Sequence, residues 1–360
     1  MVSKPIKILA DATLPNLVEF FNPRFDLTLF HSKEHLMELL PHNKVLLCRS
    51  TLTVNESLLN HHSIECVATA SSGSDHIDKA YLNHHHITCF DAKGSNARAV
   101  ADYVISSIAT LKQANKITGN LAGVIGVGEV GTRVVSRLKA AEFNVICYDP
   151  IKMQHDKEFI SCKLTELMSC NLLCIHANLH KTPPFSSWDL LNADFLAQLN
   201  PNVTIINASR GGIVNEDALL SSIKPITYCT DVYLNEPDIN PEIINFSTLC
   251  TPHIAGHSIE AKHNMVAYVI QKLHRHYGLE APPVKISISK HDLTITYQTD
   301  WQAYALELYN PLGDTKILKQ ASEKKEAFLV QRNAHKDRHD FNVYKMKNLN
   351  QQTKRVLDQS

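Results

Sequence analysis

The chain has 360 residues, more than one compact core holds, so two or three domains are expected. Hydrophobic residues make up 44%, which excludes a disordered chain, and 36 basic residues balance 36 acidic ones, which excludes a global basic field for nucleic acid. No apolar run approaches the length of a membrane span.

Met1-Val2-Ser3-Lys4-Pro5 leads straight into an apolar strand, Ile6–Ala10, too short for the core of a signal peptide. A cytoplasmic protein with neither nucleic-acid nor membrane partners is expected. Further strands are predicted at Leu27–Phe30, Val45–Cys48, Cys66–Thr69 and Ile87–Phe90. Helical stretches such as Leu14–Phe21 and Lys33–Leu40 lie between them. This alternation predicts a parallel sheet covered by helices. Nine scattered cysteines, with no C-x-x-C pair, read as reduced core thiols. His61-His62 and His84-His85-His86 end short polar helical stretches. Adjacent histidines point apart on a helix, so a solvated surface is expected and no metal site.

A long apolar-periodic helix is predicted over Arg98–Leu111, with Asn96 as its N-cap. A second alternating unit follows, with strands at Leu121–Ile125, Asn144–Tyr148, Leu172–His176, Thr204–Asn207, Thr227–Asp231 and Thr248–Thr251. Several are near-continuous apolar runs, as in strands buried on both faces, and six of them fit a doubly wound dinucleotide domain. A helix from Ile259 to Tyr277 carries the chain back to the first domain. Glu280-Ala281-Pro282-Pro283 then reads as a linker, Val284–Ser289 and Leu293–Gln298 alternate like an antiparallel strand pair, and Ala321–Arg338 is charge-rich.

The expected fold class is therefore α/β. A flavodoxin-like doubly wound substrate domain begins over residues 1–95, and a Rossmann domain spans 96–257. A returning helix covers 258–280, and a small α+β domain covers 281–360.

The turn Gly126-Val127-Gly128-Glu129-Val130-Gly131 follows a strand and opens the helix Val130–Leu138. Gly126 permits the tight turn, Gly128 lets the backbone approach a pyrophosphate, and Gly131 lets helix and strand pack closely. Backbone N–H groups at the helix start, around Glu129 and Val130, then face the phosphates. Asp149 ends the next strand at the spacing of a ribose-binding acid, which favours NAD over NADP. Its plainer reading is a turn residue before Pro150, and Lys152 lies close by.

Arg210 follows an apolar strand within Asn207-Ala208-Ser209-Arg210-Gly211-Gly212. Its planar guanidinium suits bidentate capture of a carboxylate. His253, after Thr251-Pro252, can accept a hydroxyl proton, and Glu236 can hold its other ring nitrogen. Singly these are a surface arginine, a loop histidine and a loop acid. In this order, downstream of the glycine turn, they supply the parts for hydride transfer.

Through Gly126–Gly131, Asn207–Gly212, Asp231–Pro237 and Thr251–Gly256 the chain resembles the D-2-hydroxyacid dehydrogenase family. A narrower likeness, to a branch acting on a phosphorylated 2-hydroxy acid, rests on four further stretches. These are Arg49-Ser50 with Thr53–Leu59, Ala68–His76, Gly94–Ala97 and His253–Gly256. The similarity runs from about Ile6 to Tyr277 and continues more weakly beyond.

The resemblance implies Arg210, Glu236 and His253 as catalytic residues, with His253 the proton acceptor. It implies Ser50 and Ser71 in the substrate site, and Asp149, Ala208, Ser209, Arg210, Asp231 and Gly256 against NAD. It also implies a homodimer formed through the C-terminal domain. His257 stands in place of a tyrosine that contacts substrate, Ser71 and Ala177 in place of threonines, and Lys93 in place of a proline. The chain ends earlier than that pattern, so the last strand of the third domain is expected to be missing. Arg49, beside Ser50 at a strand end, is the leading candidate to bind the substrate phosphate, with Lys93 at the rim. Rival readings are another enzyme of the family, of phosphoglycerate or glyoxylate/hydroxypyruvate type, and an NAD-sensing binding protein on the same scaffold.

Overall fold

Runs of small and branched apolar residues place the strands, and helical crossovers between them set them parallel and cover both faces of each sheet. The computed structural model describes residues 4–282, 291–292, 300–335 and 337–359. The described residues of Met1–Asn96 and Ile259–Ile288 form one unit, and those of Ala97–Ser258 and Ser289–Ser360 form another.

The first unit holds β1 (Ile6–Asp11), β2 (Phe25–Phe30), β3 (Val45–Cys48), β4 (Cys66–Thr69) and β5 (Thr88–Asp91). They pair in parallel in the order β2-β1-β3-β4-β5. Side chains alternate across a strand, so Ile8 and Ala10 face one way and Leu9 the other. Ile8, Ala10, Leu47 and Ala68 pack with Val266, Ile270 and Leu273 of the helix Ile259–His276. On the opposite face, Leu9, Leu46 and Val67 pack with Leu36, Leu58 and Leu82.

The predicted helix Leu14–Phe21 shrinks to Leu17–Phe20. Thr13 bonds back to the Asp11 carboxylate and Asn16 adopts a left-handed conformation, so the helix cannot start earlier. β2 begins two residues before the predicted start, because Phe25 and Asp26 pair with Ile6 and Lys7.

The second unit holds β6 (Leu121–Ile125), β7 (Asn144–Tyr148), β8 (Leu172–Ile175), β9 (Thr204–Asn207), β10 (Thr227–Thr230) and β11 (Leu249–Cys250). The order β11-β10-β9-β8-β6-β7 reverses direction at β6. A crevice therefore opens at the carboxyl ends of β6 and β8, the place where doubly wound sheets bind ligands.

The predicted strands Val284–Ser289 and Leu293–Gln298 lie outside the described residues. The described C-terminal residues are mostly helical: Trp301–Leu308, Leu312–Gln320, Lys324–Ala334 and Gln351–Val356. A two-residue strand, β12 (His291–Asp292), pairs in parallel with β13 (Tyr344–Lys345). Trp301, Tyr304, Phe341 and Val356 join the core formed by Tyr103, Ile108, Val134 and Leu138.

A buried ion pair reinforces this junction. Arg137 and Asp102, from the helices Glu129–Ala140 and Ala97–Gln113, meet at 3% and 1% side-chain exposure. The second Asp102 oxygen accepts the Phe341 N–H at 2.9 Å. Burial pushes the Asp102 carboxyl up and the Arg137 charge opposes that push. Arg137→Met strands a buried carboxylate and should reduce stability by about 3–5 kcal/mol, read as the urea midpoint. Adding Asp102→Leu should recover part of the loss. An unchanged midpoint for Arg137→Met would remove the pair from the stabilising contacts.

Candidate functional site

The glycine turn closes over β6 with two steric demands and one open position. Gly126 has φ +83°, and a Cβ there would sit 2.5 Å from the Ala177 backbone nitrogen. A Cβ on Gly131 would collide with the Gly126 carbonyl oxygen. Around Gly128 nothing lies within 4 Å, so a ligand can approach its backbone. Gly128 caps the helix Glu129–Ala140, whose first N–H groups point out of the turn. Open space, helix dipole and unpaired amides together fit a dinucleotide pyrophosphate.

Asp149 is tied to that turn. One oxygen accepts the Val127 N–H at 2.8 Å and the other accepts the Lys152 N–H at 2.9 Å. Its residual acceptor capacity, of about four lone-pair sites on a carboxylate, can serve ribose hydroxyls. The plainer reading as a turn residue also holds, because Asp149 caps the short helix Pro150–His155. The Lys152 ammonium donates to the Val127 carbonyl at 3.1 Å and lies 4.7 Å from the Phe159 ring centre. The glycine turn, the acid and the lysine thus form one hydrogen-bonded corner.

Arg210 sits in the loop after β9. Asn207 staples this loop by donating to the Arg210 carbonyl and accepting from the Ser209 N–H and hydroxyl. Arg210 Nη1 donates to the Ser209 carbonyl at 2.7 Å. A Cβ on Gly211 would strike the Tyr233 carbonyl, so only glycine lets this loop pack against the loop that carries Glu236. Ala208 is half-buried, and Ser209 and Gly256 are buried.

Glu236 and His253 touch. Glu236 Oε2 lies 2.6 Å from His253 Nδ1, and Oε1 accepts the Tyr233 N–H at 2.9 Å. Burial acts to raise the Glu236 carboxyl, but His253, the Tyr233 N–H and Arg332 outweigh it and hold the group below the usual carboxylate range. His253 itself has φ +55°, an uncommon conformation for a residue with a side chain.

Asp231 accounts for that conformation. Its carboxylate accepts the Thr251 hydroxyl at 2.7 Å, the Ile254 N–H at 2.7 Å and the Ala255 N–H at 2.8 Å. It is 1% exposed, and burial pushes its carboxyl up to about 6. The family resemblance implies Asp231 against NAD; in the structure its two oxygens accept from Thr251, Ile254 and Ala255 of the loop that carries His253. The Tyr103 hydroxyl bonds Thr251 at 2.7 Å and extends the clasp. Glu216 braces the neighbouring loop by accepting the Leu234 N–H at 2.9 Å.

The other substrate candidates, apart from His257, lie in the first unit. Arg49 follows β3 and its Nε donates to Asp11 at 3.0 Å, which orients the guanidinium. Asp11 is buried, which would raise it, but bonds from Thr13 and Arg49 hold it below the usual range. Ser50 is exposed, Ser71 half-buried and Lys93 exposed. His257, in the second unit, has its ring 6.4 Å from that of His335. Sequence reasoning passed over Asp11, Glu216 and Arg332. An acid at the end of a parallel strand flags Asp11 by the same logic that flags Asp149. Nothing in the sequence marks Arg332, one cation within a charge-rich helix. Among the described residues no group of three or more His, Cys, Asp or Glu could hold a metal ion, and no helix is long and apolar enough to cross a membrane.

Residues 97–255 match the family described as D-isomer specific 2-hydroxyacid dehydrogenase, NAD binding domain. The chain is 50% identical over 339 residues to the erythronate-4-phosphate dehydrogenase of Legionella pneumophila (strain Lens), covering 94% of this chain and 96% of that one. The enzyme of that name from Coxiella burnetii (strain RSA 493 / Nine Mile phase I) is 39% identical over 261 residues, or 71% of this chain and 70% of the relative. Among solved structures, the NAD-dependent formate dehydrogenase of Staphylococcus aureus in complex with NAD aligns with a TM-score of 0.60 at 22% identity. It covers 76% of this chain and 96% of its own. A D-lactate dehydrogenase from Aquifex aeolicus complexed with NAD and lactic acid aligns with the same TM-score at 18% identity, over 76% of this chain and 95% of that one. These two share the fold.

Asp149→Ala removes a charged acceptor at the ribose position. NAD should bind about 10–100-fold more weakly and the preference over NADP should narrow, by isothermal titration with both cofactors. Unchanged NAD affinity would take Asp149 out of the site.

Proposed function

The chain belongs to the D-isomer specific 2-hydroxyacid dehydrogenase family, and from that premise we propose that it oxidises 4-phospho-D-erythronate at C2, giving (3R)-3-hydroxy-2-oxo-4-phosphooxybutanoate in vitamin B6 biosynthesis. The observation that carries the reading is the 2.6 Å contact between His253 and Glu236, in a chain 50% identical to a named erythronate-4-phosphate dehydrogenase along 94% of its length.

NAD, when bound, supplies the acceptor for the hydride that leaves C2. Gly128 and the amides of Glu129 and Val130 would hold its pyrophosphate, and Asp149 its adenosine ribose. Arg210 grips the substrate carboxylate with its guanidinium and fixes which face of C2 is presented. Glu236 occupies His253 Nδ1, which leaves Nε2 to take the C2 hydroxyl proton. The same carboxylate stabilises the imidazolium that forms. The hydroxyl proton and the C2 hydride leave together in the net reaction, and a ketone remains.

Arg49, Ser50 and Ser71 are proposed to contact the substrate, with Arg49 held by Asp11 to receive the phosphate. His257 is proposed as a further substrate contact. A homodimer through the C-terminal residues is supported by Leu312, Ile317 and Val330, large apolar side chains 48%, 56% and 59% exposed there. Nine free cysteines support a reducing, cytoplasmic setting.

NADH formation from 4-phosphoerythronate should exceed that from D-glycerate and 3-phosphoglycerate by at least about tenfold in kcat/KM, the size expected when one charged contact is lost. A preference for 3-phosphoglycerate would turn the reading to another member of the family. Arg49→Ala should raise KM for the phosphorylated substrate by roughly 10–100-fold, with a smaller change in kcat. An unmoved KM would leave the phosphate without its assigned partner.

A further inference from the structure

We propose that Arg332 is a positioning residue for the proton transfer: it shares Glu236 Oε2 with His253, and its charge makes the carboxylate–imidazole pair release a proton more readily. The inference rests on the catalytic reading above and adds a residue beyond the span 97–255 that matches the family.

The helix Lys324–Ala334 lies along the loop that carries Glu236 and presents one face to it. Lys325 pairs with Asp238 at 2.8 Å. Phe328, 2% exposed, sets its ring 6.1 Å from Tyr233. Arg332 brings Nη1 to 3.9 Å from Glu236 Oε2. Positions 325, 328 and 332 are spaced i, i+3, i+7, which is one side of an α-helix. The three contacts all fall on the loop segment between Tyr233 and Asp238, which contains Glu236. Phe328 fixes the helix, and the same geometry one turn later delivers a guanidinium to the oxygen that His253 uses.

The other charged groups around the pair pull in defined directions. Asp231 beneath His253 and Glu216 beside the Glu236 loop are carboxylates, and negative charge there favours the protonated pair. Lys325 is neutralised by Asp238 at the loop's exposed end. Tyr233 donates its backbone N–H to Glu236, and its phenol stays neutral because burial pushes it up. Arg332 is the cation of this set that acts on the shared oxygen. It steadies Glu236 as a carboxylate whether or not the imidazole carries a proton. It therefore weakens the advantage that protonation of the imidazole would gain. For oxidation the pair must be unprotonated, so Arg332 extends activity toward acid.

The test is the pH profile of kcat/KM for 2-hydroxy acid oxidation by the full chain with NAD. Arg332→Gln and Arg332→Met remove the charge, and Arg332→Lys keeps it. Because both partners of the pair are partly exposed, the acid limb should move up by roughly half a pH unit in the two neutral variants. In Arg332→Lys the limb should stay near the wild-type position. Melting temperatures of all variants separate this effect from general damage. An acid limb that stays put, or moves down, in both neutral variants overturns the proposal. So does failure of both to fold, which would make Arg332 a structural residue. Wild-type NADH formation is the separate control on the catalytic reading itself: its absence defeats that reading, whereas a wild-type rate with unmoved variant limbs defeats the role of Arg332 alone.

Discussion

The hydrogen bond between Glu236 and His253 is the constraint on which the site depends, because its partners come from two different loops. Glu236 follows β10 and His253 follows β11. A 2.6 Å contact between them requires both loops to hold their paths closely. Asp231 provides much of that constraint. It stands at the end of β10 and binds Thr251, Ile254 and Ala255, so one buried carboxylate joins the two loops. Arg338, from the C-terminal region, donates to the Ala255 carbonyl on the other side of the same loop. His253 is thereby held from both ends of its short peptide run.

The sheet makes this possible. Parallel strands deliver successive loops to one edge, so Gly126, Asp149, Arg210, Glu236 and His253 all follow the carboxyl ends of strands in the second unit. Steric demands then sort the loops. Gly131 presses the helix start onto the glycine turn, and Gly211 presses the Arg210 loop onto the Glu236 loop. A methyl group at either position would separate elements whose spacing the chemistry uses. The C-terminal helices add to this frame through Phe341 and Phe328, which pack into the cores below the site.

Most of the strand framework was legible because it rests on local pattern. Val45–Cys48, Cys66–Thr69, Leu121–Ile125, Asn144–Tyr148 and Thr204–Asn207 are apolar runs bounded by polar residues, and the strands have those bounds. The ends of β2, β5 and β11 moved by one or two residues, because pairing with a neighbour, not composition, decides where a ladder stops. The parts of the site with a characteristic order, glycine turn then Arg210, Glu236 and His253, could be read directly. Residues that hold those parts could not. Glu216 matters through a contact 18 positions away in the chain. Arg332 is 96 positions from Glu236, and only the tertiary path of its helix brings them together.

Asp231 also shows what this arrangement demands of stability. Its carboxyl, pushed up to about 6 by burial, is more easily protonated in the folded chain than in the unfolded one. The fold therefore gains from the protonated form at low pH, and loses that contribution as pH rises through about 6. Yet the three donors converging on Asp231 are best met by the ionised form, which only accepts. The negative charge also lies where an imidazolium would form on His253. Near neutrality the loop is thus organised around a carboxylate whose ionisation the folded interior resists. The hydroxyl of Thr251 and the two loop amides offset part of that resistance, and they form the very turn that aims His253. Stability and function meet in the same hydrogen bonds, which is why the loop adopts a left-handed histidine instead of relaxing it.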